Sequence, residues 1–278
     1  NSSAASDVYK RQMSLPPILN RALKAAYIGA NEIIHSSKRI QNIQITKKEG
    51  NDITTNIDLL VQEKVFDELQ KHYPDFSYLG EESNEHISQE EENIWILDPI
   101  DGTKNFAKQY PHYALSLACL KNKEVICAVV IDPVRDEVFC AAEGTGALLN
   151  NRRIRHSNKK TLQNAFLSNV GHKEKDANYN YSILDTISEL SAKSITFRRS
   201  GCTSLDLCYA AAGRIDGFWG YGLKVWDRAA GLYIAQSAGC LISSFDGKPD
   251  AFDSDHVILS APRSVSYTHL TLPTSSWV

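Results

Sequence analysis

The chain has 278 residues, enough to bury a large core without disulfide support. Hydrophobic residues make up 42% and charged residues 23%, and the net charge of -3 gives no bulk attraction to nucleic acid or to an anionic membrane surface. The longest apolar runs, such as Val125 to Ile131, are strand-length and exclude a helix that spans a bilayer.

Residues 1–12 (NSSAASDVYKRQ) have no hydrophobic period, and neither do residues 264–278 (SVSYTHLTLPTSSWV). Both are expected to be non-native, disordered tails, which would leave the native chain short at its C-terminus. The first helix is predicted after Pro16-Pro17, where Ile18, Ala22, Ala25, Ala26, Gly29 and Ile33 recur at helical spacing. A polar stretch, Lys47 to Asn56, precedes a second helix with Val61, Val65, Phe66 and Leu69 on one face. Strands follow at Ile94 to Leu97, Tyr113 to Leu120, Glu124 to Ile131 and Glu137 to Ala142, and short turns between them argue for antiparallel hairpins.

Beyond a polar cluster at residues 150–160 the pattern changes to alternating strand and helix. The strands are Ala165 to Val170, Ile195 to Arg199, Gly217 to Tyr221, Leu241 to Phe245 and Val257 to Ser260. The helices are Tyr181 to Ala192, Ser204 to Ala212 and Asp227 to Ala238. The reading is a layered α/β protein with two sheets, divided into an N-terminal half (residues 13–155) and a C-terminal half (residues 156–263). Six cysteines (119, 127, 140, 202, 208 and 240) lack metal or redox spacing and read as buried, reduced thiols, so the expected location is cytoplasmic.

The richest segment is Trp95-Ile96-Leu97-Asp98-Pro99-Ile100-Asp101-Gly102-Thr103, an apolar strand that ends in two carboxylates. Open α/β sheets place their sites at such strand ends. Two hard anions so close repel unless a cation lies between them, and oxygen ligands suit Mg²⁺. Gly102 permits close backbone approach, so phosphate oxygens could meet the amides of Gly102 and Thr103. Alone, the spacing also suits a turn and a helix cap. Gly80-Glu81-Glu82-Ser83 adds acid at another strand end, or is a solvated loop. Asp227 opens an apolar helix and Asp58 lies three residues after Thr55, and both also read as ordinary caps.

Taken together, GEES (80–83), WILDPIDGTKNF (95–106) and GLKVWDRAAG (222–231), supported by NDITTNID (51–58) and RRSGCTSLDLCYAAAGRIDGF (198–218), resemble the inositol monophosphatase family. The resemblance covers roughly Leu15 to Arg263. It implies the αβαβα sandwich shared with fructose-1,6-bisphosphatases, a homodimer, lithium sensitivity and two or three Mg²⁺ ions per subunit. It implies that Glu81, Asp98 and the Ile100 carbonyl hold one metal, that Asp98, Asp101 and Asp227 hold a second, and that a third leans on Glu81. Glu81 and Thr103 would prepare the attacking water, with Asp58 steadying Thr103. Substrate contacts would come from Asp101, Gly102, Thr103, Lys48, Gly201 and Cys202.

The implied activity is hydrolysis of inositol 1-phosphate or a similar polyol or sugar phosphate. Two departures from the family bear on substrate. Lys104 follows the DGT triplet as in the branch acting on 3′-phosphoadenosine 5′-phosphate, and Gly220 stands where inositol-specific members carry a glutamate. That bisphosphate and fructose bisphosphate are therefore the alternative substrates. A further alternative is a binding partner in transcription or ribosome assembly, contacting RNA polymerase or RNA through Arg152, Arg153, Arg155, Lys159 and Lys160. His112 is expected to be structural.

Overall fold

The computed structural model describes residues 15–39, 41, 43–48, 53–83, 91–171, 191, 195–245, 247–249, 252 and 254–260. The predicted helix over 181–192, all but Ser191, and both expected tails lie outside the described residues.

Two helices, α1 (Pro17–Ser37) and α2 (Asn56–Gln70), pack on one face of a seven-stranded sheet. That sheet runs β3 (Ser77–Gly80), β4 (Asn93–Asp101), β5 (Ala114–Lys121), β6 (Glu124–Asp132), β7 (Glu137–Ala142), β8 (Leu148–Leu149) and β9 (Arg152–Arg153), in that spatial order. Only the β3–β4 pair is parallel; the rest are antiparallel, as the short turns predict. Its strands are apolar on both sides because both faces are covered. Trp95 and Leu97 point to the α1–α2 layer, while Ile96 between them points the other way.

The other face meets α4 (Thr203–Ala211) and α5 (Val225–Ser237), which pack on each other. Behind them lies a five-stranded sheet in the order β11 (Thr196–Arg198), β10 (Phe166–Gly171), β12 (Gly217–Tyr221), β14 (Val257–Ser260), β13 (Leu241–Ser243). Here β11, β10 and β12 are parallel and β14 runs against β12. The layers are therefore helix, sheet, helix, sheet. The far side of the second sheet carries a further apolar cluster around Trp219, Tyr221 and Ile258.

Three local results differ from the sequence reading. The polar stretch before α2 holds a hairpin of β1 (Ile45–Lys47) and β2 (Ile53–Thr55), invisible to periodicity because every residue of β1 is exposed. Strand β4 continues four residues past Leu97, through a register shift between Asp98 and Asp101 that contains Pro99. The bulge accommodates a residue with no amide to give to the ladder. The strand predicted to reach Phe245 stops at Ser243. All six cysteines are buried and unpaired, as expected. Among the described residues no helix is long and apolar enough to cross a membrane.

Candidate metal and phosphate site

The acidic residues meet where β3 and β4 end side by side. Glu81 follows β3 directly, and its amide donates to Leu97 O at 3.1 Å, which fixes it beside the last regular turn of the β4 ladder. Asp98 and Asp101 flank the bulge and are both buried. Gly102 then turns the chain at φ 93°, a left-handed conformation that favours glycine, and starts the short helix α3 (Thr103–Ala107). A Cβ at Gly102 would stand 3.2 Å from both Gly201 O and His112 O, so this turn is pressed against the loop that leads into α4. Asp227 reaches the cluster from the first turn of α5, and Asp58 from the first turn of α2.

Each acid has a distinct set of partners. Glu81 Oε1 accepts Lys48 Nζ at 2.8 Å, and the same ammonium donates to Glu82 Oε1 at 2.6 Å. Asp101 Oδ2 accepts the Ser204 amide and hydroxyl, each at 2.6 Å, and the Cys202 thiol at 3.3 Å. Asp227 Oδ2 accepts the Lys224 amide at 2.9 Å, closing the start of α5. Asp58 Oδ2 accepts the Thr55 amide at 2.8 Å, while Oδ1 lies 3.3 Å from the Thr103 hydroxyl. That hydroxyl also has the Ile100 carbonyl at 3.0 Å as an acceptor. Asp98 differs: its carboxyl meets that of Glu81, while its Oδ1 is fully buried and has no hydrogen-bond partner among the described residues.

The electrostatics follow from this crowding. Burial pushes the Asp98 carboxyl well above the usual range, and the charges of Glu81, Asp101 and Asp227 push it further. Burial raises Asp227 to about 8, with Asp101 and Glu81 adding to it. Burial also raises Glu81, opposed by Lys48, and Asp101, opposed by Ser204 and Cys202. On Lys48 burial acts downward, but the Glu81 and Glu82 carboxylates outweigh it and hold the ammonium charged. Four carboxyl groups from three separate segments thus act on one another.

Among the described residues, no three acidic, imidazole or thiol side chains already stand as a finished metal cage. Glu81, Asp101 and Asp227 are turned onto protein donors. The donor set nevertheless fits a hard divalent cation. It is made of oxygens, it holds mutually repelling charges out of water, and it contains one buried carboxylate oxygen left unsatisfied. A cation there would remove the repulsion and supply the missing partner.

Of the remaining sequence-selected residues, Gly201 is exposed in the loop before α4, with φ 78°. Cys202 is fully buried, and its thiol is directed at Asp101. Lys104 is exposed. His112 is buried edge-on to Tyr209, with ring centres 6.0 Å apart. Sequence reasoning missed the roles of Glu82, Ser204 and Asn105. Asn105 Nδ2 ties the two loops together by donating to His112 O at 2.7 Å and Ser200 O at 2.9 Å. Little local signals these contacts, since all but the one from Asn105 to His112 join segments far apart in the chain.

Residues 14–274 match the profile of the Inositol monophosphatase family, a span that runs past Arg263. A curated relative, "Nus factor SuhB" of Vibrio cholerae serotype O1, is 39% identical over 249 residues, covering 90% of this chain and 93% of the relative. Among solved structures, the extragenic suppressor protein suhB of Bartonella henselae superposes with a TM-score of 0.83 at 32% identity, covering 92% of this chain and 97% of that one. The Thermotoga maritima IMPase superposes with a TM-score of 0.79 at 31% identity, covering 92% and 96%.

Proposed function

The chain belongs to the inositol monophosphatase family, and from that premise we propose that it is a Mg²⁺-dependent phosphomonoesterase. Its substrate in this reading is inositol 1-phosphate or a similar polyol or sugar phosphate, released as the alcohol and inorganic phosphate. The observation that carries the proposal is the mutual charge repulsion of Glu81, Asp98, Asp101 and Asp227 around an unsatisfied Asp98 oxygen.

Glu81, Asp98, Asp101, Asp227 and the Ile100 carbonyl would hold the Mg²⁺ ions, two or three in number. When bound, those ions supply charge neutralisation for the phosphoryl group and its leaving oxygen. The chain's own groups do the rest. Thr103, held between Asp58 and the Ile100 carbonyl, orients the attacking water. Glu81 takes the proton from that water, and Lys48 keeps the Glu81 carboxylate oriented. The turn at Gly102 brings backbone close to the phosphate, where Gly102 and Thr103 would bind its oxygens. Gly201 and Cys202 lie in the loop packed against that turn and would offer backbone to the substrate.

A panel of phosphate esters compared by kcat/KM, with and without Mg²⁺, tests the reading. Inositol 1-phosphate is expected to be hydrolysed only with Mg²⁺. A strong preference for 3′-phosphoadenosine 5′-phosphate or fructose bisphosphate would move the substrate to the branch that Lys104 resembles, and equal turnover in EDTA would remove the metal.

A second reading joins the first, because the Vibrio cholerae relative bears the name Nus factor. Arg152, Arg153, Arg155 and Lys160 are exposed on and after the edge strand β9, a surface suited to RNA or the transcription machinery. Binding of RNA polymerase that is unchanged when these four charges are neutralised would dismiss that surface.

A further inference from the structure

We propose that Ser204 is a positioning residue that fixes the Asp101 carboxylate, leaving one of its two oxygens for a divalent cation; this rests on the metal-dependent reading above. Asp101 follows a bulge, so the regular ladder does not orient its side chain. Three hydrogen bonds converge on Oδ2, from the Ser204 amide and hydroxyl at 2.6 Å and the Cys202 thiol at 3.3 Å, and the Thr203 amide also favours the charged carboxylate. Ser204 and Cys202 are fully buried and Asp101 nearly so, so water does not compete for that oxygen.

The amide would be present whatever residue stood at 204. The hydroxyl is the part this side chain adds. Hydroxyl bonds to a carboxylate are short and about twice as strong as neutral ones, and two donors at a fixed angle to each other select one rotation of the group. A saturated Oδ2 leaves Oδ1 as the oxygen able to turn to the cluster.

The platform beneath Ser204 is itself built to hold still. Ser200 Oγ donates to the buried Asp206 carboxylate at 2.9 Å and accepts the Cys202 amide at 3.2 Å. Asn105 Nδ2 ties Ser200 O to the α3 side at 2.9 Å. Position 204 is thus registered against the same turn that carries Asp101 and Gly102. Groups that orient a metal ligand typically change affinity by roughly 10–100-fold when removed.

The test is Mn²⁺ binding to the full chain, followed by the loss of the free-ion electron paramagnetic signal, beside thermal melting in EDTA. Ser204→Ala is expected to weaken Mn²⁺ binding about tenfold, while Ser204→Thr, which keeps the hydroxyl, stays within about twofold of wild type. Ser204→Cys, a weaker donor of similar size, is expected to fall between them and serves if the alanine variant does not fold. A merely structural serine would lower the melting temperature of the alanine variant and leave its Mn²⁺ affinity at the wild-type value. That result, with wild type binding normally, overturns the positioning role alone. If wild type itself binds no Mn²⁺, the metal reading falls and the proposal with it.

Discussion

The Asp58 carboxylate holds Thr103 from 45 residues away: its Oδ1 lies 3.3 Å from the threonine hydroxyl while its Oδ2 caps α2 through Thr55. One side chain thus joins a helix start to the turn at Gly102. Asp58→Asn keeps an acceptor for the Thr55 amide but removes the charge. We expect kcat to fall about a hundredfold with KM little changed. A variant with wild-type kcat would detach Asp58 from the reaction.

The same substitution has a pH signature. Burial raises the Asp58 carboxyl to about 7, far above the ordinary aspartate range, so the folded chain holds that proton more tightly than the unfolded one. Its contribution to stability is therefore fully present below about pH 4 and is lost as pH rises through about 7. The Asp58→Asn variant has no proton to lose there and carries no such dependence. Its denaturation curves should gain on wild type between these limits, and a constant difference would contradict the assignment.

Asp98 tests the cluster from the other side. It is the most crowded carboxyl, so Asp98→Asn removes repulsion as well as a proposed ligand. Without metal the variant should melt at or above wild type. Added Mg²⁺ should stabilise wild type by about 2.7 kcal/mol at roughly a hundredfold excess over Kd and leave the variant unmoved. Phosphate release by the variant should be absent. An equal Mg²⁺ shift in both proteins would clear Asp98 of any part in metal binding.

Gly220 bears on substrate choice. The residue lies on β12 with Leu223 Cδ1 and Phe218 Cζ each 2.9 Å from where a Cβ would sit. A glutamate there is not a simple restoration of the residue that inositol-specific members carry. Gly220→Glu is expected to cost about 1–3 kcal/mol by overpacking, before any charge is buried. Urea denaturation gives the cost directly. An unchanged midpoint together with a gain in kcat/KM for inositol 1-phosphate would show that the site has room after all.

A structural ion pair gives a control far from the site. Lys24 and Lys71 hold the Glu68 carboxyl down at about 2. Its stabilising contribution is present above about pH 4.5 and lost as pH falls through about 2. The lysines are 56% and 64% exposed, so Glu68→Gln should cost about 1 kcal/mol or less at neutral pH. The difference should vanish near the bottom of that range. A gap that persists there would assign it to packing.

How much of this was legible in the chain depends on range. Strands β12 and β14 begin and end where their apolar runs do, because every residue of both is buried. The motif around Asp98 was legible because its chemistry is local: strand, two acids, then glycine. The hairpin at Ile45–Lys47 was not, since an exposed strand carries no hydrophobic period. Pro99 hid the end of β4, because a proline normally ends a strand and here sits in a bulge. The contacts that orient the acids were hidden for a different reason. Ser204 reads as an ordinary first-turn residue until the fold brings Asp101 to it across 103 positions.

In the proposed mechanism the acids from the end of β3, from β4 and from α5 act together on a divalent cation. Phosphate release from inositol 1-phosphate across a Mg²⁺ titration, for wild type beside Asp227→Asn, tests it most directly. Wild type should show saturable, EDTA-abolished release, and the variant should need far more Mg²⁺ or release none. Release by wild type that is indifferent to EDTA, or a variant with the wild-type Mg²⁺ curve, would contradict it.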